Sequence, residues 1–148
     1  MNKKQELENA LKLAMKAGDD VSKRTIRMAL SNIKMQEIEK RSELDDSAVI
    51  SILQKEIKMR NEAIEDAKKM SREDLISDNK AEIVVLESFL PVQLTEDQVR
   101  EMAKTIIAEI NATSPTDMGR VMKDLLPKLQ GQAPNSLASQ IVKQLLSN

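Results

Sequence analysis

The chain has 148 residues, 41% of them hydrophobic and 32% charged, and its 23 Lys and Arg against 24 Asp and Glu leave a net charge of −1. It has no Cys, His, Trp or Tyr, and Phe89 is its one aromatic residue. Disulfides, thiolate or imidazole metal sites, Cys or His nucleophiles and a His general base are therefore excluded, and no aromatic platform exists on which unpaired bases could stack.

Apolar residues recur at helical spacing along almost the whole chain. Leu7, Ala10, Leu11, Ala14 and Met15 mark a first helix closed by Gly18. Asp19 and Asp20 offer an N-cap for a second, running to about Arg41. Asp45 caps a third, with Leu44 and Val49 as a hydrophobic staple and Val49, Leu53, Ile57 and Ile64 along its buried face to about Lys69. Ser71 to Asp74 resembles a capping box and predicts a fourth helix carrying Leu75, Ile83, Leu86 and Leu90. Pro91 interrupts the pattern. Thr95 and Gln98 form a further capping box ahead of the stripe Val99, Met102, Ala103, Ile106 and Ile110. Ser114, Pro115 and Asp117 then supply an N-cap, an N1 proline and an N3 acid for a sixth helix to about Leu129, with Pro127 bending or ending its last turn. Gly131 and Pro134 mark the next break, after which Leu137, Ile141, Val142 and Leu145 face inward from a last helix. The expected fold is all-α: an N-terminal bundle of about four helices over residues 1–92 and a smaller three-helix domain over 93–148.

The longest apolar run, Ile83 to Leu86, is too short to cross a membrane, and no apolar segment follows the N-terminal lysines. With the absence of cysteine, this predicts a soluble cytoplasmic protein. Acidic pairs such as Glu37 and Glu39, Asp45 and Asp46, Glu65 and Asp66, and Glu73 and Asp74 point in different directions from a helix, so they read as solvated faces or caps. No catalytic constellation, metal site or cofactor fingerprint is apparent.

Two groups of residues remain as candidates for binding. On the second helix, at about 100° per residue, Lys23, Arg24, Arg27, Lys34 and Arg41 fall within one sector of about 100°. Such a stripe can follow a phosphate backbone, unless acidic residues of neighbouring helices or water neutralise it. In the second group, Gly119 lies inside a helix, where glycine costs about 1 kcal/mol against alanine, so it suggests close approach by either a neighbouring helix or a bound backbone. Arg120 and Lys128 lie about 80° apart on the same helix and could address one partner if that helix persists through Pro127.

These stretches also carry a resemblance. Ile26-Arg27-Met28 with Ile33-Lys34, Leu53 to Lys58, Arg72 to Leu75, Phe89-Leu90-Pro91 with Gln93-Leu94, and above all Asp117 to Met122 with Pro127-Lys128 and Gly131 resemble the YqeY-like family. That family is related to the tail region of the B subunit (GatB) of the glutamine-dependent aspartyl/glutamyl-tRNA amidotransferase. The resemblance implies an all-helical protein whose C-terminal helices, with Gly119, Arg120, Lys128 and Gly131, would meet tRNA. It also implies that carbon–nitrogen ligase chemistry with glutamine as amide donor belongs to other domains and subunits. The family usually has a basic residue after the glycine and then Ala-Asp-Gly; here Gln132-Ala133-Pro134-Asn135 removes a cation and a turn glycine from the loop.

Two readings follow. One is a tRNA-interacting accessory protein that binds weakly and salt-dependently, with Arg24, Arg27, Lys34, Arg41, Gly119, Arg120, Lys128 and Gly131 as candidate contacts. The other is a helical protein–protein adaptor docking on an aminoacyl-tRNA synthetase or an amidotransferase. Neither DNA nor a membrane is an expected partner, and no cofactor or metal is expected.

Overall fold

The structure is a computed structural model, and it describes residues 1–147. Among these the fold is all-α, with no strand. The helices are α1 (Lys3–Ala17), α2 (Asp20–Lys40), α3 (Asp46–Lys69), α4 (Glu73–Glu87), α5 (Glu96–Ile110), α6 (Met118–Leu129) and α7 (Asn135–Ser147), with a 3-10 turn at Pro115–Asp117 ahead of α6.

Most helix ends sit where local side chains place them. Asn2, Asp19, Asp45 and Thr95 each accept a backbone N–H of the first turn of α1, α2, α3 and α5, satisfying donors that have no partner within the helix. At the other ends, Gly18, Arg41, Ser71 and Asn111 all adopt a left-handed backbone. The residue after each returns a hydrogen bond to the carbonyl five positions earlier: Asp19 to Ala14, Ser42 to Glu37, Arg72 to Ala67 and Ala112 to Ile107.

This closure accounts for one departure from expectation. Ser71 does not cap α4, because α3 uses it as its left-handed terminator (φ 54°). The residue preceding α4 is Arg72, whose side chain makes no cap and instead pairs with Asp74. A second departure lies at Ser114-Pro115: the start signal produces a 3-10 turn, and the α-helix begins only at Met118. Pro127 neither ends nor breaks α6, which runs on to Leu129. Its missing N–H removes one helical bond, to the Lys123 carbonyl, near the C-terminal end.

Contacts divide the chain into two compact units, Met1–Leu90 and Pro91–Asn148. In the first, α3 packs on α4 and α1 on α2, around Leu7, Ile33, Val49, Leu53 and Leu86, each at most 1% exposed. A smaller cluster, Ile64, Ala67 and Ile76, closes the far end of the α3–α4 pair. The second unit packs α5, α6 and α7 around Val99, Ile106, Val121, Leu125, Ile141 and Val142. These cores contain aliphatic side chains almost alone, with Phe89 packed at the edge of the first.

Candidate functional site: the cation-bearing faces

In α2 the buried side is Thr25, Ile26, Ala29 and Ile33, so the basic sector points away from the core. Arg24, Arg27, Lys34 and Arg41 are all exposed, and Lys23 is half-buried. Their electrostatic situations differ. Lys23 lies 3.5 Å from Asp20, one turn earlier. Arg24 Nε lies 3.5 Å from Glu82 Oε1 on α4. Arg27 Nη2 lies 3.9 Å from the Met15 sulfur. Among the described residues, no carboxylate lies within ion-pair distance of Arg27, Lys34 or Arg41. Arg27 and Lys34 are seven residues apart, about 10.5 Å along the helix axis, and Arg41 is the left-handed residue that closes the helix. Three large apolar side chains emerge beside them: Met28, Met35 and Ile38, at 51%, 60% and 66% exposure.

A buried charge cluster beneath this face was not evident from the sequence. Arg60 of α3 is 7% exposed and Glu56, one turn earlier, 5%. Arg60 Nη1 donates to Glu56 Oε2 at 2.6 Å and to the Glu56 carbonyl at 3.1 Å. The other Glu56 oxygen accepts from Asn32 of α2, and Arg60 Nη2 lies 3.5 Å from the Met28 sulfur and 3.8 Å from Glu82 Oε1. Arg60 Nε is buried with no hydrogen-bond partner among the described residues. One signal was available in the sequence. Arg60 falls about 20° from Leu53 on the helix wheel, inside the apolar stripe of α3, with Glu56 four residues before it.

In the second unit the candidate residues serve the fold more visibly. The Asp117 carboxylate accepts the backbone N–H groups of Thr113 (2.9 Å) and Ser114 (3.3 Å). Those bonds, followed by the Arg120 guanidinium beside it, hold its carboxyl below the ordinary aspartate range. Arg120 in turn spans from Asp117 Oδ1 to the Ile110 carbonyl, both at 3.1 Å, fastening the end of α5 to the start of α6. Gly131 has φ 76°, and its carbonyl accepts from Gln93 at 2.9 Å. The next carbonyl, of Gln132, accepts from Leu94 at 2.7 Å. Lys128 is exposed, with no carboxylate within ion-pair distance among the described residues. Gly119 is exposed, and a Cβ added there would meet nothing within 4 Å. Close approach of a neighbouring helix within the unit therefore does not explain this glycine.

Several acidic residues are engaged within the fold. Asp45 caps α3, Asp46 accepts from the Lys3 backbone, and Glu37 binds both Lys4 Nζ (2.7 Å) and the Leu44 N–H (3.0 Å). Lys4, with the Leu44 N–H, lowers the Glu37 pKa below the ordinary range, and Glu37 raises that of Lys4. Among the described residues no group of three or more carboxylates converges on a metal position, and no helix is long and apolar enough to cross a membrane.

Fold and surface together define a small all-α protein that presents unpaired cations on an exposed helix. A family model described as Yqey-like protein matches residues 4–146, and the chain belongs to that family. Relatives include "Altered inheritance of mitochondria protein 41, mitochondrial" from Lachancea thermotolerans, 32% identical over 134 residues, covering 88% of this chain and 70% of the relative. The proteins of the same name from Kluyveromyces lactis and Saccharomyces cerevisiae (strain YJM789) are 31% and 30% identical, each match covering 93% of this chain, with 79% and 80% of the relative. These names overturn the expectation of a cytoplasmic protein. That expectation rested on missing cysteines and apolar segments, which oppose secretion and membrane insertion but do not distinguish one interior aqueous compartment from another.

Proposed function

We propose that the protein is a tRNA-interacting accessory module without chemistry of its own, related through its family resemblance to the tail region of tRNA amidotransferases. The observation that carries this reading is the alignment of Arg27, Lys34 and Arg41, exposed and unpaired, with Arg24 beside them on α2. The spacing of about 10.5 Å between Arg27 and Lys34 lets successive side chains reach separate phosphates, and guanidinium groups grip phosphate with two donors. Lys128, and Arg120 to the extent that its ties to Asp117 and Ile110 allow, supply the second unit's share, with Gly119 leaving space for a backbone and Gly131 a further candidate contact. In this reading residues 1–92 and 93–148 act as two domains, the second corresponding to the amidotransferase tail. Without stacking aromatics, binding is by shape and charge, so it is weak and falls steeply with salt.

The test is a titration of labelled tRNA across salt. Each phosphate contact contributes up to about 0.9 to the log–log slope, so three to four contacts give a slope near −3 and a loss on the order of 100-fold between 50 and 200 mM salt. Arg27→Ala and Lys128→Ala each lower that slope if their surfaces take part. No binding at tens of micromolar protein in low salt overturns the proposal.

A second reading is favoured by the exposed Met28, Met35 and Ile38, which a phosphate backbone does not need. These side chains suit an adaptor that docks on a synthetase or amidotransferase. Salt-insensitive co-purification of such an enzyme, with no nucleic acid at 260 nm, supports that reading over the first.

A further inference from the structure

Of the four candidate cations Arg24, Arg27, Lys34 and Arg41, Arg24 alone faces a carboxylate of another helix. Glu82 Oε1 lies 3.5 Å from Arg24 Nε and 3.8 Å from Arg60 Nη2, so one oxygen stands between two guanidinium groups. Arg60 does not depend on it, because Glu56 already binds Arg60 at 2.6 Å through a carboxylate oxygen and at 3.1 Å through its carbonyl. Glu82 itself keeps 16% of its side chain exposed, and Arg24 keeps 48%. The pair therefore sits at the edge of the cluster, where solvent and ligands have access, rather than in its interior.

We propose that Glu82 acts as an internal competitor for the anion: it holds Arg24 against α4 and keeps it from joining Arg27, Lys34 and Arg41 in binding a polyanion. The inference rests on the tRNA reading for its consequence, though the restraint on Arg24 is independent of it. A phosphate approaching Arg24 must displace a carboxylate already in contact, so this contact releases less affinity than its neighbours do. Replacing Glu82 with glutamine keeps the packing and removes the competitor.

The variant Glu82→Gln is expected to bind tRNA up to about tenfold more tightly than wild type at 0.05 M salt, with a log–log slope steeper by up to about 0.9. Glu87→Gln is the control. It removes the same charge from an exposed position on α4 that pairs with no cation among the described residues, and it is expected to change binding far less. In an Arg24→Ala background, Glu82→Gln is expected to add no more than Glu87→Gln does, because the two effects share one contact. Equal gains from Glu82→Gln and Glu87→Gln overturn the inference, leaving only a change in net charge. A second readout needs no RNA: 15N relaxation of the arginine Nε groups is expected to show Arg24 more ordered than Arg27 in wild type and equally mobile in Glu82→Gln. Equal mobility in wild type overturns the restraint whatever tRNA does. Absence of tRNA binding by every variant, with Arg24 ordered as expected, leaves the restraint standing and removes the functional proposal alone.

Discussion

Replacing Arg60 with methionine tests the buried cluster directly. The guanidinium is the main neutralising group for Glu56, whose side chain is 6% exposed; without it, that carboxylate keeps only the Asn32 amide. Removing one partner of a buried pair costs about 3–5 kcal/mol, because the other charge is left uncompensated. Two effects offset part of this loss. Methionine fills much of the space of the arginine stem, and the unpartnered Arg60 Nε disappears, a relief of about 1 kcal/mol. A net destabilisation of about 2–4 kcal/mol is expected, a substantial fraction of the 5–15 kcal/mol typical of a domain. For a unit of this size it corresponds to a fall in Tm on the order of 10–25 °C. The double variant Glu56→Leu/Arg60→Met removes both charges and is expected to recover most of the loss, since apolar replacement of a whole buried pair is often neutral. The assay is urea and thermal unfolding followed by circular dichroism at 222 nm, as the chain has no Trp or Tyr to report by fluorescence. A cost below about 1 kcal/mol for Arg60→Met, or a double variant no more stable than the single, refutes the reasoning: water would then be compensating Glu56.

Two glycines are expected to respond in opposite senses. Gly119→Ala meets open space on a helix with ordinary φ and should raise stability by up to about 1 kcal/mol, whereas Gly18→Ala places a side chain at φ 69° and should cost about 1–2 kcal/mol, both read from urea midpoints. If Gly119→Ala also weakens tRNA binding while stabilising the protein, the glycine serves a bound backbone. Asp117 has its pKa lowered on folding, so its stabilisation is fully present above the ordinary aspartate range and is lost as pH falls through the folded value. Asp117→Asn should therefore destabilise the second unit at neutral pH and reduce its loss of stability on acidification to about pH 3. An unchanged acid limb would show that other carboxylates dominate.

The helices and most of their ends are legible because the information is local. Thr95 with Gln98, and Asp45 with Ala48, lie within one turn of each other, so the residues that stop or start a helix are neighbours in the chain. Ser71 shows the limit. Its fit to a capping box was correct as a pattern, but two helices competed for the same residue, and the closure of α3 took it. The exposure of the α2 cations followed from the helical period, since Ile26, Ala29 and Ile33 must face inward.

What the helical period could not give was which of those cations are free. That depends on groups far apart in sequence: Glu82 beside Arg24, Arg60 under Met28, Gln93 against Gly131. By itself the sequence determined an all-helical chain without thiol or imidazole chemistry, most of its helix boundaries, its aliphatic cores and its family resemblance, all set by composition, motif and contacts within a turn or two. Only the tertiary structure decided that Arg120 is a brace between helix ends, that Gly119 faces open space, and that Arg24 lies beside a carboxylate of another helix. The physical reason is that an ion pair is fixed by distance, and packing sets the distance between residues of different helices.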